Sequence, residues 1–297
     1  MKSFMSRTKM WIAIILFVCL FLYFENNLIS ITRIDIISYD VPAAFAGYKI
    51  VHLSDLHSKR FSKEQGILKS KIKDIKPDAI VFTGDLIDSK LEQLEPCMEL
   101  MRGLVKMAPT FFVTGNHEWG SGKYADLEKQ LEGNGIVVLR NTYAKIRKGT
   151  DEIDIVGIDD PVAGGRINGD STASNIREAI KGIEDTEKFK ILLAHRPESF
   201  PLYSEYGFNL VFAGHAHGGQ VRLPFIGGIV APNQGFFPQY TAGKHEWGNA
   251  VMVVSRGLGN SVFPQRVFNR PEIVVVTLLR DKCIPRQGCA LEIAHRW

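Results

Sequence analysis

Apolar runs of strand character recur from Tyr48 onward: YKIVHL (48–53), AIVFT (79–83), TFFVT (110–114), FKILLA (189–194), NLVFA (209–213), NAVMVVS (249–255) and PEIVVVTLL (271–279). Short apolar runs bounded by turn residues predict buried strands. Between the early runs lie stretches of helical spacing. SKEQGILKSKIKDI (62–75) has Ser62 and Gln65 in capping-box spacing, with Pro77 beyond its end. LEQLEPCMELMRGLVKM (91–107) is interrupted early by Pro96, and YADLEKQLEGNG (124–135) stops on glycine. KIRKGTDEIDIVGI (145–158) predicts a hairpin turning at KGTD. Strands alternating with helices predict an α/β layered domain. With no internal repeat and no low-complexity linker, one domain over residues 40–280 accounts for the pattern, followed by a tail over 281–297.

The first 31 residues break this rhythm. Met10 to Phe24 carries no charge, follows Lys2, Arg7 and Lys9, and precedes Glu25. A helix of that length reaches about 22 Å against a hydrocarbon core of about 30 Å. Extension through ENNLISI closes the gap and places Glu25 near the interface. The A-x-A at Ala44 to Ala46 lies some distance on and abuts a core strand, so an uncleaved anchor is expected, with a cleaved signal as the alternative. Positive charge ahead of the segment puts the N-terminus in the cytoplasm and the rest outside, a single-pass protein of the cell membrane; a cleaved signal makes it secreted or wall-associated.

Composition narrows the classes further. At 297 residues, 45% hydrophobic and 23% charged, the chain is ordinary globular material. A net charge of +4 with scattered arginines gives no ground for expecting nucleic acid as a partner. The four cysteines show no C-x-x-C spacing, which argues against a thiolate metal site; Cys283 and Cys289 are either a disulfide or two free thiols.

Candidate chemistry follows the strands. SDLH after the first run gives Asp55 and His57, GD after the second gives Asp85, and GNHE after the third gives Asn116, His117 and Glu118. His195 follows FKILLA, and AGHAHGGQ after NLVF gives His215 and His217, whose i, i+2 spacing on extended chain turns both imidazoles to one side. Singly, each is a turn-former or helix cap, and Gly84, Gly115 and Gly214 are ordinary turn glycines. Jointly they are not: in α/β sheets, sites gather at the carboxyl ends of strands, and five of the eight histidines stand at such turns. The mixed N/O donor set suits Mn, Fe, Co or Zn in a dinuclear site. His52, His245 and His295 lack this context and are expected to be structural.

In order, D-x-H, G-D, G-N-H-E, a lone His and G-H-x-H resemble the calcineurin-like metallophosphoesterase family, with every element present from Asp55 to His217. GHAHGGQVRLPF and the late NRPEIVVVTLL are similar to a membrane-tethered bacterial envelope branch, some of whose members hydrolyse the diphosphate of UDP-diacylglucosamine. The resemblance implies a four-layer αββα sandwich of two mixed sheets flanked by helices. It implies two divalent metal ions (Mn, Fe or Zn), Asp55, His57 and His217 on one, Asn116, His195 and His215 on the other, and Asp85 bridging. A hydroxide held between the ions is then the nucleophile that attacks phosphorus. His117 would stabilise or protonate the leaving oxygen; the alternative is an orienter of Asn116.

The substrate is less constrained. GGQVRLPFIGGIVAPNQGFFPQY (218–240) is either a loop folded onto the second sheet or an apolar rim that receives a lipid tail. Lys59, Arg196, Arg222 and Arg256 follow site turns and are candidates to hold a phosphate or diphosphate, or else are solvated surface charges. The expected activity is a phosphodiesterase or diphosphatase acting on a lipid-linked or nucleotide-linked phosphoester at the cell envelope. The alternatives are a broad phosphomonoesterase and a non-hydrolytic scaffold on the same fold.

Overall fold

The computed structural model describes residues 2–90, 94–164, 169–185, 187–260 and 263–281. Cys283, Cys289, His295 and the expected tail after 281 lie outside the described residues.

Helix α1 (Lys2–Asn27) carries the uncharged segment, with most of its large apolar side chains from Met10 to Phe24 exposed and Phe21 and Leu22 half-buried. Its end differs from expectation: Glu25 is buried, accepting from the Asn269 backbone N–H at 3.0 Å and pairing with Arg270 at 2.8 Å. Strand β1 (Ser30–Ser38) follows within three residues. Its SITRIDIIS pattern was not among the expected strands, and it runs parallel to the last strand of the chain.

Along the chain come β2 (Tyr48–Leu53), α2 (Gly66–Ile75), β3 (Ala79–Thr83), α3 (Glu95–Leu104), β4 (Thr110–Val113), the short α4 (Asn116–Gly120), α5 (Tyr124–Gly133) and β5 (Val137–Val138). The expected capping box between Ser62 and Gln65 does not form. The Ser62 hydroxyl instead accepts from the Ile67 N–H, Gln65 takes a left-handed backbone, and α2 starts only at Gly66. Pro96 sits in the first turn of α3, where a missing N–H breaks no helical bond, so it starts this helix rather than interrupting it.

The second half adds β6 (Thr142–Lys148), β7 (Asp151–Gly157), α6 (Gly169–Ala179), β8 (Lys190–Leu193), α7 (Phe200–Glu205) and β9 (Leu210–Ala213). Two small hairpins follow, β10 (Arg222–Leu223) with β11 (Gly227–Gly228) and β12 (Val230–Ala231) with β13 (Gly235–Phe236). Then come β14 (Gly243–Trp247), β15 (Ala250–Val254) and β16 (Glu272–Arg280).

Two mixed six-stranded sheets result, ordered β1-β16-β2-β3-β4-β5 and β14-β15-β9-β8-β7-β6. Within the first, β2 to β5 are mutually parallel and β16 is antiparallel to β2; within the second, β7, β8, β9 and β15 are parallel. Fully buried strands such as β3 and β9 read as continuous apolar runs because both of their faces are covered. Three apolar clusters show what covers them. One joins Leu68, Ile72, Met98 and Leu127 of the helices to Val51 and Phe82; a second joins the sheets through Ile50, Val81, Ile191 and Phe212; a third sets Ile176, Phe200 and Tyr203 against Leu192 and Val211.

His52 of β2 is part of this interior, its ring on Phe212 and its Nε2 2.8 Å from the Thr83 hydroxyl. Burial pushes its pKa down to about 3, so it folds neutral. Unfolded, it titrates near 6.5. Between pH 6.5 and 3 the unfolded chain therefore binds a proton that the folded chain does not, and stability falls as pH falls through that window. His52→Gln keeps a partner for Thr83 and removes the titration. In chelated protein, urea unfolding should show the wild type losing stability relative to this variant by up to about 1.4 kcal/mol per pH unit below 6.5. A pH-independent difference would show that His52 is not the neutral buried group described.

Candidate metal centre

The carboxyl ends of β2, β3 and β4 in one sheet and of β8 and β9 in the other carry the ligand-type residues, and the structure brings these ends together. Asp55, His57, Asp85 and His217 offer ligand atoms within 4.8 Å of one another, and so do Asp85, His195 and His215. Asp85 belongs to both groups. Its Oδ2 lies 3.2 Å from His195 Nε2 and 3.7 Å from His57 Nε2, while Asp55 Oδ1 lies 3.3 Å from His217 Nε2. His57 and His217 face each other Nε2 to Nε2 at 3.1 Å, and His215 Nδ1 faces His195 Nε2 at the same distance.

The backbone pays no heed to ordinary preference here. Asp55, His57, Asp85, His215 and His217 all have φ between 47° and 64°, the left-handed region that side chains disfavour. Such residues persist only where surrounding structure over-determines them, and they cluster at functional sites. Among those determinants are backbone bonds between neighbouring turns: Asp55 N–H to Gly84 O and His57 N–H to Asp85 O, each at 3.0 Å.

Two glycines are needed for space. A Cβ on Gly214 would strike the Ser54 hydroxyl and come within 2.5 Å of Asp55 Oδ2; one on Gly115 would strike the Asp85 carboxylate. They are thus close-approach positions between a strand end of one turn and the acid of another, beyond the turn-forming role expected of them.

Glu118 does what its place in GNHE only hinted at. Fully buried in the first turn of α4, it accepts the backbone N–H groups of Gly115 (2.6 Å), Asp85 (2.8 Å), Leu86 (2.8 Å) and Ile87 (3.2 Å). One carboxylate therefore clasps the β3 and β4 turns together. A glutamate three residues after a helix N-cap is the legible signal for such a clasp, although its reach to the β3 turn is not. Burial and the nearby Asp85 push Glu118 up to about 7, against these donors.

Electrostatics make the cluster costly without a cation. Burial pushes Asp55 up to about 7, pushes His57 down to about 4, and holds His215 and His217 well below their ordinary value. Although burial works against both, Asp85 and His195 stabilise each other's charge, Asp85 falling well below the carboxylate range and His195 rising to about 10. A bound divalent ion inverts this logic, favouring ionised acids and neutral imidazoles. The donors fit one. His195 Nδ1 donates to Thr83 O at 2.7 Å, which leaves Nε2 as the free lone pair facing Asp85 and His215. Asn116 Oδ1 is buried without a hydrogen-bond partner, as are His57 Nδ1 and His217 Nδ1.

His117 stands beside this cluster, half-buried, its ring 4.5 Å from that of His57 and its backbone N–H donating to Asp85 Oδ1 at 2.9 Å. It forms a further group with His57 and Asp88, an acid that was not among the sequence candidates. Of the histidines set aside as structural, His52 is in the core and His245 bonds to Ala242 O.

The four candidate phosphate-binding cations are otherwise engaged. Arg196 is buried with its guanidinium on Asp160 at 2.8 and 3.1 Å; Lys59 donates to Asn26 O. Arg222 donates to Gly218 O and Thr241, and Arg256 pairs with Glu272 at 2.8 Å. All four hold protein groups in the unliganded chain.

Comparison with known proteins agrees with this arrangement. The profile of the calcineurin-like phosphoesterase family matches residues 48–219, more than half of the chain and all of the turns just described. The chain belongs to the calcineurin-like phosphoesterase family. This phosphoesterase is 35% identical to the metallophosphoesterase YkuE of Bacillus subtilis over 86% of its own length and 87% of the relative's. It is 30% identical to phosphodiesterase YaeI of Escherichia coli, over 79% and 83% of the two chains. A transmembrane protein with metallophosphoesterase domain from Danio rerio is 30% identical over 80% of this chain and 54% of the fish protein. With its buried Asp/His cluster, the phosphoesterase is a hydrolase of phosphoesters that uses divalent metal ions.

Proposed function

We propose that the chain is a membrane-tethered, two-metal phosphodiesterase or diphosphatase of the cell envelope. The observation that carries the two-metal part is the position of Asp85, the one acid common to both ligand groups. Asp55, His57 and His217 would hold one ion, and Asn116, His195 and His215 the other, with Asp85 between them. Two dications about 3.5–4 Å apart repel strongly, and a shared carboxylate offsets that repulsion while fixing their separation. When bound, such a pair acidifies water and neutralises the charge that builds on phosphoryl oxygens.

The protein's own groups supply alignment and the leaving-group contact. Gly115, Glu118 and Gly214 let the turns approach closely enough for Asp55, His57, Asp85, His195, His215 and His217 to converge. The Ser89 backbone N–H donates to His117 Nδ1 at 3.1 Å. Nδ1 is therefore the acceptor, and the hydrogen of the neutral ring is on Nε2, the nitrogen left for a substrate. His117 then acts by donating a hydrogen bond to the departing oxygen.

The likeness to a named phosphodiesterase supports diester over monoester chemistry. Tethering is supported by α1, where Arg7–Asn27 is long and apolar enough to cross a membrane and is 6% buried. Its uncharged part, Met10 to Phe24, spans about 22 Å at 1.5 Å per residue, and Arg7 and Lys9 can extend that reach by snorkelling toward the interface. Lys2, Arg7 and Lys9 ahead of the uncharged segment support a phosphoesterase domain outside the cytoplasm. Within this reading the substrate is a lipid-linked or nucleotide-linked phosphoester, of which the diphosphate of UDP-diacylglucosamine is one example.

The test uses purified full-length protein stripped by chelator and reloaded with Mn or Zn. Bis-p-nitrophenyl phosphate should be cleaved faster than p-nitrophenyl phosphate, and only after reloading. Activity that survives chelation, or a preference for the monoester, contradicts the proposal.

A further inference from the structure

The chain from Leu223 to Gly243 contains no charged residue, yet its two small hairpins are presented to solvent rather than packed away. Phe225 is fully exposed, Phe236 and Phe237 are 76% and 68% exposed, and Ile226 is 59% exposed. Four large apolar side chains exposed on two hairpins that are joined by the bond from Phe237 N–H to Ile229 O mark a contact that the isolated chain leaves unmade.

What adjoins this surface identifies the contact. Residue Val221 bridges to Val267, and the Arg222 N–H donates to Val267 O at 3.0 Å. The next residue, Phe268, is itself exposed and packs on Phe21 of α1 with ring centroids 5.3 Å apart. Around it, the segment 264–270 cradles the end of α1: Gln265 donates to Leu22 O, Asn26 to Pro264 O, and Glu25 takes Asn269 and Arg270. The apolar hairpins are therefore continuous with the end of the helix read above as a membrane span, on the side where that helix leaves the bilayer. They also reach the metal centre. Asn233, between β12 and β13, lies 3.2 Å from His215 Nε2, and Asn269 donates to His217 O at 2.8 Å.

We propose that the hairpin segment Leu223–Phe237 is a second membrane contact, inserting Phe225, Ile226, Phe236 and Phe237 into the bilayer that α1 crosses, and so setting the mouth of the metal centre at the headgroup plane. The substrate that this geometry favours is a phosphoester whose alkyl chains stay in the bilayer while its phosphate reaches the metals. Aromatic and aliphatic side chains on a polar frame suit such interfacial insertion. The inference rests on the reading of α1 as a span and of the cluster as a phosphoesterase centre.

Full-length protein in lipid nanodiscs, carrying p-benzoylphenylalanine in place of Phe225, should give lipid adducts on irradiation. The same probe in place of Val137, an exposed residue of β5 at the opposite edge of the first sheet from β1, should give none. Equal lipid labelling at the two positions, or labelling of a second protomer at 225, overturns the proposal, the latter by making the patch an interface between copies. The combined variant Phe225→Ser, Ile226→Ser, Phe236→Ser and Phe237→Ser provides the second reading. It should cleave soluble methyl p-nitrophenyl phosphate within twofold of wild type and disc-embedded hexadecyl p-nitrophenyl phosphate at least tenfold more slowly. An equal effect on both probes overturns it. Extraction of the wild-type chain from membranes by carbonate would instead sink the span reading, and absence of hydrolysis of either probe by metal-loaded wild type would sink the phosphoesterase reading, while lipid labelling at 225 is scored independently of activity.

Discussion

Asp85→Asn should remove both metals and with them nearly all turnover. The carboxylate is the one acid in both ligand groups, its Oδ2 facing His195 and His57 while Oδ1 accepts the His117 N–H. An amide has one acceptor oxygen, no negative charge, and an NH₂ that would point at imidazole nitrogens or a cation. Catalytic metals contribute several kcal/mol of transition-state stabilisation, and each 1.36 kcal/mol is tenfold in rate, so a loss on the order of 10³-fold or more is expected. Metal content by mass spectrometry of the purified variant, with circular dichroism to confirm folding, checks the cause. A variant that keeps two ions per chain would show that Asp85 is not shared.

His117→Ala should behave differently, keeping its metals while losing about 10²- to 10⁴-fold in kcat, the usual range for a group acting on a proton in the transition state. Its ring is held from two sides, by the Ser89 N–H on Nδ1 and by its own backbone bond to Asp85, so it is positioned without being needed as a ligand. The leaving group provides the discriminating readout. Esters of good leaving groups, whose oxyanions need little stabilisation, should lose much less than alkyl esters. If both classes fall equally with metal content unchanged, His117 orients its neighbours instead, and if metal content falls, it supports Asn116.

The clustered aspartates and histidines were legible in the sequence because each follows an apolar run long enough to be recognised as a strand, and strand ends in α/β sheets converge. The inner strands were legible for the same reason, burial on two faces leaving nothing but apolar residues. β1 was not: the adjacent Thr32 and Arg33 break its apolar pattern and its place directly behind the apolar helix let it pass as a linker, and its partner β16 lies at the far end of the chain. Long-range partners also kept the contacts of Arg196 and Lys59 out of sight, with Asp160 and with the end of α1. Glu25 seemed an interfacial charge for the same reason, since the Arg270 that pairs with it is far away in sequence. The left-handed backbone at five of the clustered positions left no trace either, because aspartate and histidine adopt it far less often than the glycine that would have announced it.

Anomalous diffraction from crystals loaded with manganese, recorded at the metal's absorption edge, addresses the central claim most directly. Two peaks should appear about 3.5–4 Å apart, on either side of the Asp85 carboxylate, one beside Asp55, His57 and His217 and the other beside Asn116, His195 and His215. A single peak, or peaks away from Asp85, would contradict it.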